Sequence, residues 1–291
     1  LLQESQLFLQ DCIKTLNACR LNFVMFLGDQ VETPGKDDTN WQLFLDVVQA
    51  LGCPWYFVLG EQDVSGTSYI DKMRMYGPDW KGKGIEGNKP YWSYNPMPGV
   101  HIVGLDTSSP NTQQGEVSNT QLAWLKNDLS ENKHKFTMVF SHHPILPPSP
   151  FDGGPPWDEY IVPDGAQVRE IIGTSPYVRL AISGHVHVSK IQKEKDIWYV
   201  SCPSLDVYPC AFRTFHVTPE QISVRTYQVN YPQLVKKAEK QLLASNLAYK
   251  YSNRKRELFI EIVEGKPLDQ NAIIAGAGGK GPEPLNSKKR R

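Results

Sequence analysis

Four short apolar runs in this 291-residue chain stop, one after another, at residues whose side chains bind metals or move protons. Asn22-Phe-Val-Met-Phe-Leu27 ends in Gly28-Asp29, and Pro54-Trp-Tyr-Phe-Val-Leu59 ends in Gly60-Glu61. Phe136-Thr-Met-Val-Phe140 ends in Ser141-His142, and Val178-Arg-Leu-Ala-Ile182 leads into Gly184-His185-Val-His187. Two carboxylates and three imidazoles, with no sulfur, make an oxygen and nitrogen set suited to divalent ions such as Mn, Fe or Zn. Imidazoles are neutral ligands near pH 7 where an ion competes with the proton. A metal-dependent reaction is the chemistry these strand ends predict.

For that chemistry the runs must be buried strands whose carboxyl ends meet at one crevice, as in α/β sheets. The intervening sequence supports this. Residues 1–20 and 39–51 carry apolar positions near the 3.6-residue period of an amphipathic helix. Ser118-Asn-Thr-Gln121 reads as a capping box opening a helix to about Asn132, and Asp164 reads as the cap of a helix through Ile172. His101-Ile-Val-Gly-Leu-Asp106 is a further strand, with Asp106 as a turn residue at its end. Beyond Gly184 come short alternating segments at 188–192, 197–201, 212–217 and 222–228, which suggest antiparallel pairing. The pattern predicts two packed mixed sheets flanked by helices.

With 31 Lys and Arg, 31 Asp and Glu, 40% hydrophobic residues, 22 Gly and 22 Pro, the composition excludes disorder, collagen and coiled coil. No apolar run approaches the ~18–20 residues of a membrane-spanning helix. Five cysteines without CxxC spacing read as reduced, mostly buried thiols, which predicts a reducing, cytoplasmic setting. Beyond Tyr231 the charge changes. From Gln233 onward there are 13 of the 31 basic and 6 of the 31 acidic residues, leaving 18 basic and 25 acidic before it. A long helix is expected from Tyr231 to about Arg256. The organisation then reads as a main domain over 1–230, a helical extension over 231–267 and a mobile basic tail over 268–291, the tail being a surface for a protein partner. Its glycine run lacks the Lys-Ser/Thr ending and preceding strand of a phosphate loop. Nothing interleaves aromatic and basic residues as a nucleic-acid surface would, so nucleic acid is not the expected partner.

Gly28-Asp29-Gln-Val-Glu32, Gly60-Glu61-Gln62-Asp63, His142-His143-Pro144 and Gly184-His185-Val-His187 resemble the calcineurin-like metallophosphoesterase family in order and spacing, over Phe23 to about Val217. The resemblance implies a four-layer α/β/β/α sandwich and two divalent ions (Mn, Fe, Zn or Mg) that activate a bridging hydroxide against a phosphomonoester or phosphodiester. It implies that Asp29 bridges the ions, that His142, His185 and Glu61 bind one, and that His187 binds the other. Gln62 is then expected to face phosphate, and His143 either to face it too or to support His142 from behind, with a small-molecule phosphoester as substrate.

Two features depart from the family pattern. The family opens with a strand ending in Asp-x-His, which residues 1–28 do not contain; they read as the interior of a domain whose first strand is expected upstream. The family's Gly-Asn-His-Asp is here Gly60-Glu61-Gln62-Asp63. Glu61 can replace Asn as an oxygen ligand with an added negative charge. Gln62 donates an amide hydrogen bond but no proton, where a positioned general acid is worth roughly 10²–10⁴-fold. The alternative reading is a catalytically weakened scaffold that acts by binding. Loops over 33–40, 76–91 and 147–163 are expected to set substrate choice. Trp80, Trp92 and Trp157 are expected to pack rather than to stack on a ligand.

Overall fold

The computed structural model describes residues 4–32, 39–64, 89–110, 112–148, 159–218, 220–251, 255–275 and 283–284. Helix α1 (Ser5–Ala18) precedes β1 (Val24–Phe26), and α2 (Thr39–Val48) precedes β2 (Trp55–Phe57). The two strands pair in parallel, Val24 opposite Trp55 and Phe26 opposite Phe57. Asn17 ties the ends of the two helical units, donating to the Ala50 carbonyl and accepting from the Gly52 N–H.

A six-stranded sheet follows, built from β3 (Trp92–Met97), β4 (Val100–Gly104), β5 (Phe136–Ser141), β6 (Val178–Ser183), β7 (Lys190–Glu194) and β8 (Ile197–Ser201). Its order is β3-β4-β5-β6-β8-β7; the four central strands run parallel and the two edges antiparallel. The period of two sorts each central strand between two cores. Met138, Phe140, Leu180, Ile182, Trp198 and Val200 enter one core, shared with α1, α2 and the second sheet layer. Val139, Ala181, Ile197 and Tyr199 enter the other, beneath α3 (Asn119–Glu131) and α4 (Gly165–Gly173). The result is the expected four-layer α/β/β/α sandwich.

The second layer comes in two pieces. One is β1-β2; the other is an antiparallel sheet ordered β12-β11-β10-β9, from β9 (Ala211–Val217), β10 (Gln221–Gln228), β11 (Ala272–Ala275) and β12 (Glu283–Pro284). A cavity of about 1280 Å³ is lined by residues of both β1 and β9 and extends to Asp29, Glu61, His142 and His187. No helix among the described residues is long and apolar enough to cross a membrane. All five cysteines are free.

Local details depart from the expectations in five places. Strand β3 was not predicted, because Asn95 and Pro96 interrupt its apolar pattern; it survives as an edge strand, where proline is tolerated. The capping box is half formed. Ser118 Oγ accepts from the Gln121 N–H, but the Gln121 side chain turns away to bond the backbone of Asp106. Asp164 makes no side-chain cap on α4.

The long helix after Tyr231 breaks into α5 (Pro232–Ala244) and α6 (Asn246–Tyr251), followed by α7 (Arg256–Glu264) and α8 (Pro267–Gln270). At the break Ser245 is extended, and its Oγ accepts from the Ala248 N–H, starting a new helix instead of continuing the old one. The tail expected to be mobile from 268 is also corrected in part. Ala272–Ala275 pairs with β10 in register Val224–Ala272 and Ile222–Ile274, and Ala272 and Ile274 are fully buried. Residues 276–282 and 285–291 lie outside the described residues.

Candidate metal centre

Each strand end delivers its polar residue through a specific piece of backbone. After β1, Gly28 (φ +97°) brings the chain so close that a Cβ there would meet His142 Nδ1 at 2.2 Å. After β2, a Cβ on Gly60 would meet Asp29 Oδ1 at 2.1 Å. Both glycines are therefore required by close approach. Asp29, His185 and His187 are left-handed at φ +53°, +61° and +55°, a conformation that costs a non-glycine residue energy and is concentrated at functional sites.

The side chains converge. Glu61 Oε2 lies 2.8 Å from His142 Nε2, 3.3 Å from His185 Nδ1 and 3.6 Å from His143 Nε2. His142 Nε2 lies 3.1 Å from His185 Nδ1 and 3.3 Å from Asp29 Oδ2. One donor atom from each of Glu61, His142, His143 and His185 falls within 4.8 Å of the others, and all four residues are buried. Ligand bonds of ~2.0–2.1 Å in a tetrahedron would set donors ~3.4 Å apart. Glu61 Oε2 and His143 Nε2 have no hydrogen-bond partner although buried. A divalent ion fits this donor set and would satisfy both atoms.

Two imidazoles have their tautomers fixed from behind. His142 Nδ1–H donates to the Leu27 carbonyl at 2.6 Å, leaving Nε2 toward the cluster. His185 Nε2–H donates to the Gln113 carbonyl at 3.0 Å, leaving Nδ1 toward it. A carbonyl only accepts, so each assignment follows from the partner. The ring of Tyr160 lies 5.7 Å from that of His185.

The electrostatics follow the packing. Burial pulls His142 down, but the carboxylates of Asp29 and Glu61 hold it well above the usual imidazole range. Burial raises the Glu61 carboxyl, and the adjacent His142 and His185 lower it further, to a net position below the usual carboxylate range. Burial, with His142 and His185 nearby, lowers His143 to about 2, and burial also lowers His187.

The expected residues are not all placed alike. Glu61, His142 and His185 meet as predicted, Asp29 stands beside His142, and His143 joins the cluster. His187 lies outside the four-residue cluster but lines the same cavity. Gln62 also lines it, its backbone N–H donating to Asp29 Oδ1 at 2.9 Å. Asp106 is a turn residue, its Oδ1 accepting from the Ser108 N–H. Trp92 packs in the core and donates to the Phe57 carbonyl. Trp80, Trp157, 33–38, 76–88 and 149–158 lie outside the described residues.

Two residues without a predicted role also shape the site. Asp63, fully buried, accepts from the N–H groups of Asp29 and Gly60 through Oδ2 (2.8 Å each) and from Val31 through Oδ1 (3.1 Å), knitting the ends of β1 and β2 together. Burial and the Asp29 charge raise its carboxyl to about 8 against those bonds. Thr107 Oγ1 sits 3.0 Å from His143 Nδ1 and accepts its backbone N–H.

This order of strand ends, and the fold that carries them, match the profile of the calcineurin-like phosphoesterases over residues 5–189. The chain belongs to that family. As a calcineurin-like phosphoesterase it is a metal-dependent phosphoester hydrolase. It is 24% identical over 237 residues to a probable cyclic nucleotide phosphodiesterase of Synechococcus sp., covering 76% of this chain and 85% of that one. Over 87 residues, 30% of each chain, it is 28% identical to the 3′,5′-cyclic adenosine monophosphate phosphodiesterase of Escherichia coli K12. Its fold is similar to a dimetal phosphatase from Danio rerio, at a TM-score of 0.62 and 16% identity, covering 77% of this phosphoesterase and 86% of that chain.

Proposed function

We propose that this phosphoesterase hydrolyses small phosphodiesters, cyclic nucleotides first among them, at a two-ion centre. The observation that carries the reading is the convergence of Glu61, His142 and His185 around one point, with Asp29 Oδ2 3.3 Å from His142. The names of the Synechococcus and Escherichia coli relatives favour diesters over monoesters. Bound ions would supply a water of lowered pKa and would stabilise charge on the entering and leaving oxygens.

The chain's own residues divide the remaining work. Glu61, His142 and His185 would hold one ion, His187 would hold the other, and Asp29 would be shared between them. The Leu27 and Gln113 carbonyls orient the two imidazoles whose tautomers they fix. Gln62 donates its amide N–H to a phosphate oxygen. Because it carries no transferable proton, turnover is slow unless the leaving group departs without help.

The test is metal analysis of the protein followed by hydrolysis of bis(p-nitrophenyl) phosphate, p-nitrophenyl phosphate and 3′,5′-cyclic AMP with Mn or Zn. Diester hydrolysis that is lost in chelator and abolished by His185→Ala is expected. Bound metal with no hydrolysis of any of the three would leave a binding role instead.

A further inference from the structure

His143 was expected to face phosphate or to support His142, and its surroundings bear on both. Its side chain is fully buried, and its ring centroid lies 4.9 Å from that of His142 and 4.3 Å from that of His185. Nε2 has no hydrogen-bond partner and lies 3.6 Å from Glu61 Oε2, itself without one. A buried polar atom left unsatisfied is destabilising, so two of them facing each other across the donor cluster mark a place built for an occupant.

The opposite nitrogen decides what kind of occupant. Thr107 Oγ1 already accepts the His143 backbone N–H at 3.1 Å and lies 3.0 Å from Nδ1. With Nδ1–H donating to the same oxygen, Nε2 carries the free lone pair. With the Thr107 hydroxyl donating to Nδ1 instead, Nε2 carries a proton and faces an anion. Within 3.6 Å of Nε2 stands Glu61 Oε2, whose own environment is three imidazole nitrogens at 2.8, 3.3 and 3.6 Å. That is the arrangement of four donors around one ion, not of a hydrogen-bond donor aimed outward at phosphate.

We infer that His143 Nε2 is an additional protein ligand of the ion held by Glu61, His142, His185 and the shared Asp29, and that Thr107 is the positioning residue that sets its tautomer. The inference rests on the metal-centre reading proposed above. It makes this position a site of three histidines and two carboxylates, whose imidazoles favour ions such as Zn and Co over Mg. Phosphate contact then falls to Gln62.

The experiment is titration of the full chain with Co(II), read by visible absorption and by competition with a chelator. His143→Ala is expected to weaken Co(II) binding by about 100-fold and to change the absorption band, and Thr107→Val to weaken it by about 10–100-fold. His185→Ala serves as the control for the underlying reading. If His185→Ala loses Co(II) while His143→Ala binds it with unchanged affinity and spectrum, the inference is overturned and the metal centre stands. If the unmodified protein binds no Co(II), the metal-centre reading itself fails. Should His143→Ala not fold, the unmodified protein loaded with ¹¹³Cd and labelled with ¹⁵N-histidine decides. Scalar coupling to His143 Nε2 supports the inference, and an uncoupled, protonated Nε2 overturns it.

Discussion

The carboxylates of Asp29 and Glu61 outweigh burial and favour a proton on His142 in the metal-free protein. An ion at Nε2 must displace that proton. Metal affinity therefore rises with pH, about tenfold per unit, until the metal-free pKa is passed. Calorimetry of Zn binding in buffers of different ionisation enthalpy reads the released proton, and a heat independent of buffer would show that His142 was already neutral. At this scale the candidate ligands were legible because a polar group follows each apolar run, after a glycine in three of the four. Their supports were not. The carbonyls of Leu27 and Gln113 act through the backbone, which carries no residue-type signal, and Thr107 reaches His143 across 36 positions. Asp63 stood inside a recognised motif, but only the packed structure shows that it ties Asp29, Val31 and Gly60 together.

Among the elements, long apolar runs read correctly and mixed signals did not. β5 and β6 have strong patterns because they are buried on both faces, whereas 197–201, expected to pair antiparallel, forms β8, which is antiparallel to β7 but parallel to β6. The edge strand β3 has a weak one because only half of its pairing is required of it. β11 was hidden by composition: four small and apolar residues stand before a glycine run that dominates the window. Its role in the fold is nevertheless firm, since Asp269 just before it accepts from the Ile191 N–H and pairs with Lys190, joining the C-terminal helices to β7. Ile274→Ala should accordingly destabilise the protein by about 2–4 kcal/mol in urea unfolding. A variant as stable as the parent would show that β11 is dispensable to the core.

For the molecule as a whole, the centre sits where two layers meet. Glu61 follows β2 in one sheet layer, while His142 and His185 follow β5 and β6 in the other. An ion held by all three would tie the layers together and favour the folded chain. Zn at 100 times its dissociation constant should add about 2.7 kcal/mol of stability and raise the melting temperature by roughly 5–10 °C. A thermal melt unchanged by bound Zn would mean that the unfolded chain binds it equally well. The left-handed backbone at Asp29, His185 and His187 works in the opposite direction, at about 1 kcal/mol for each residue. Glycine would relax each position and discard its side chain. A laboratory selection for heat resistance that ignored hydrolysis would thus tend to erase these three residues first, so their persistence in any thermostable descendant would itself report that catalysis was being selected.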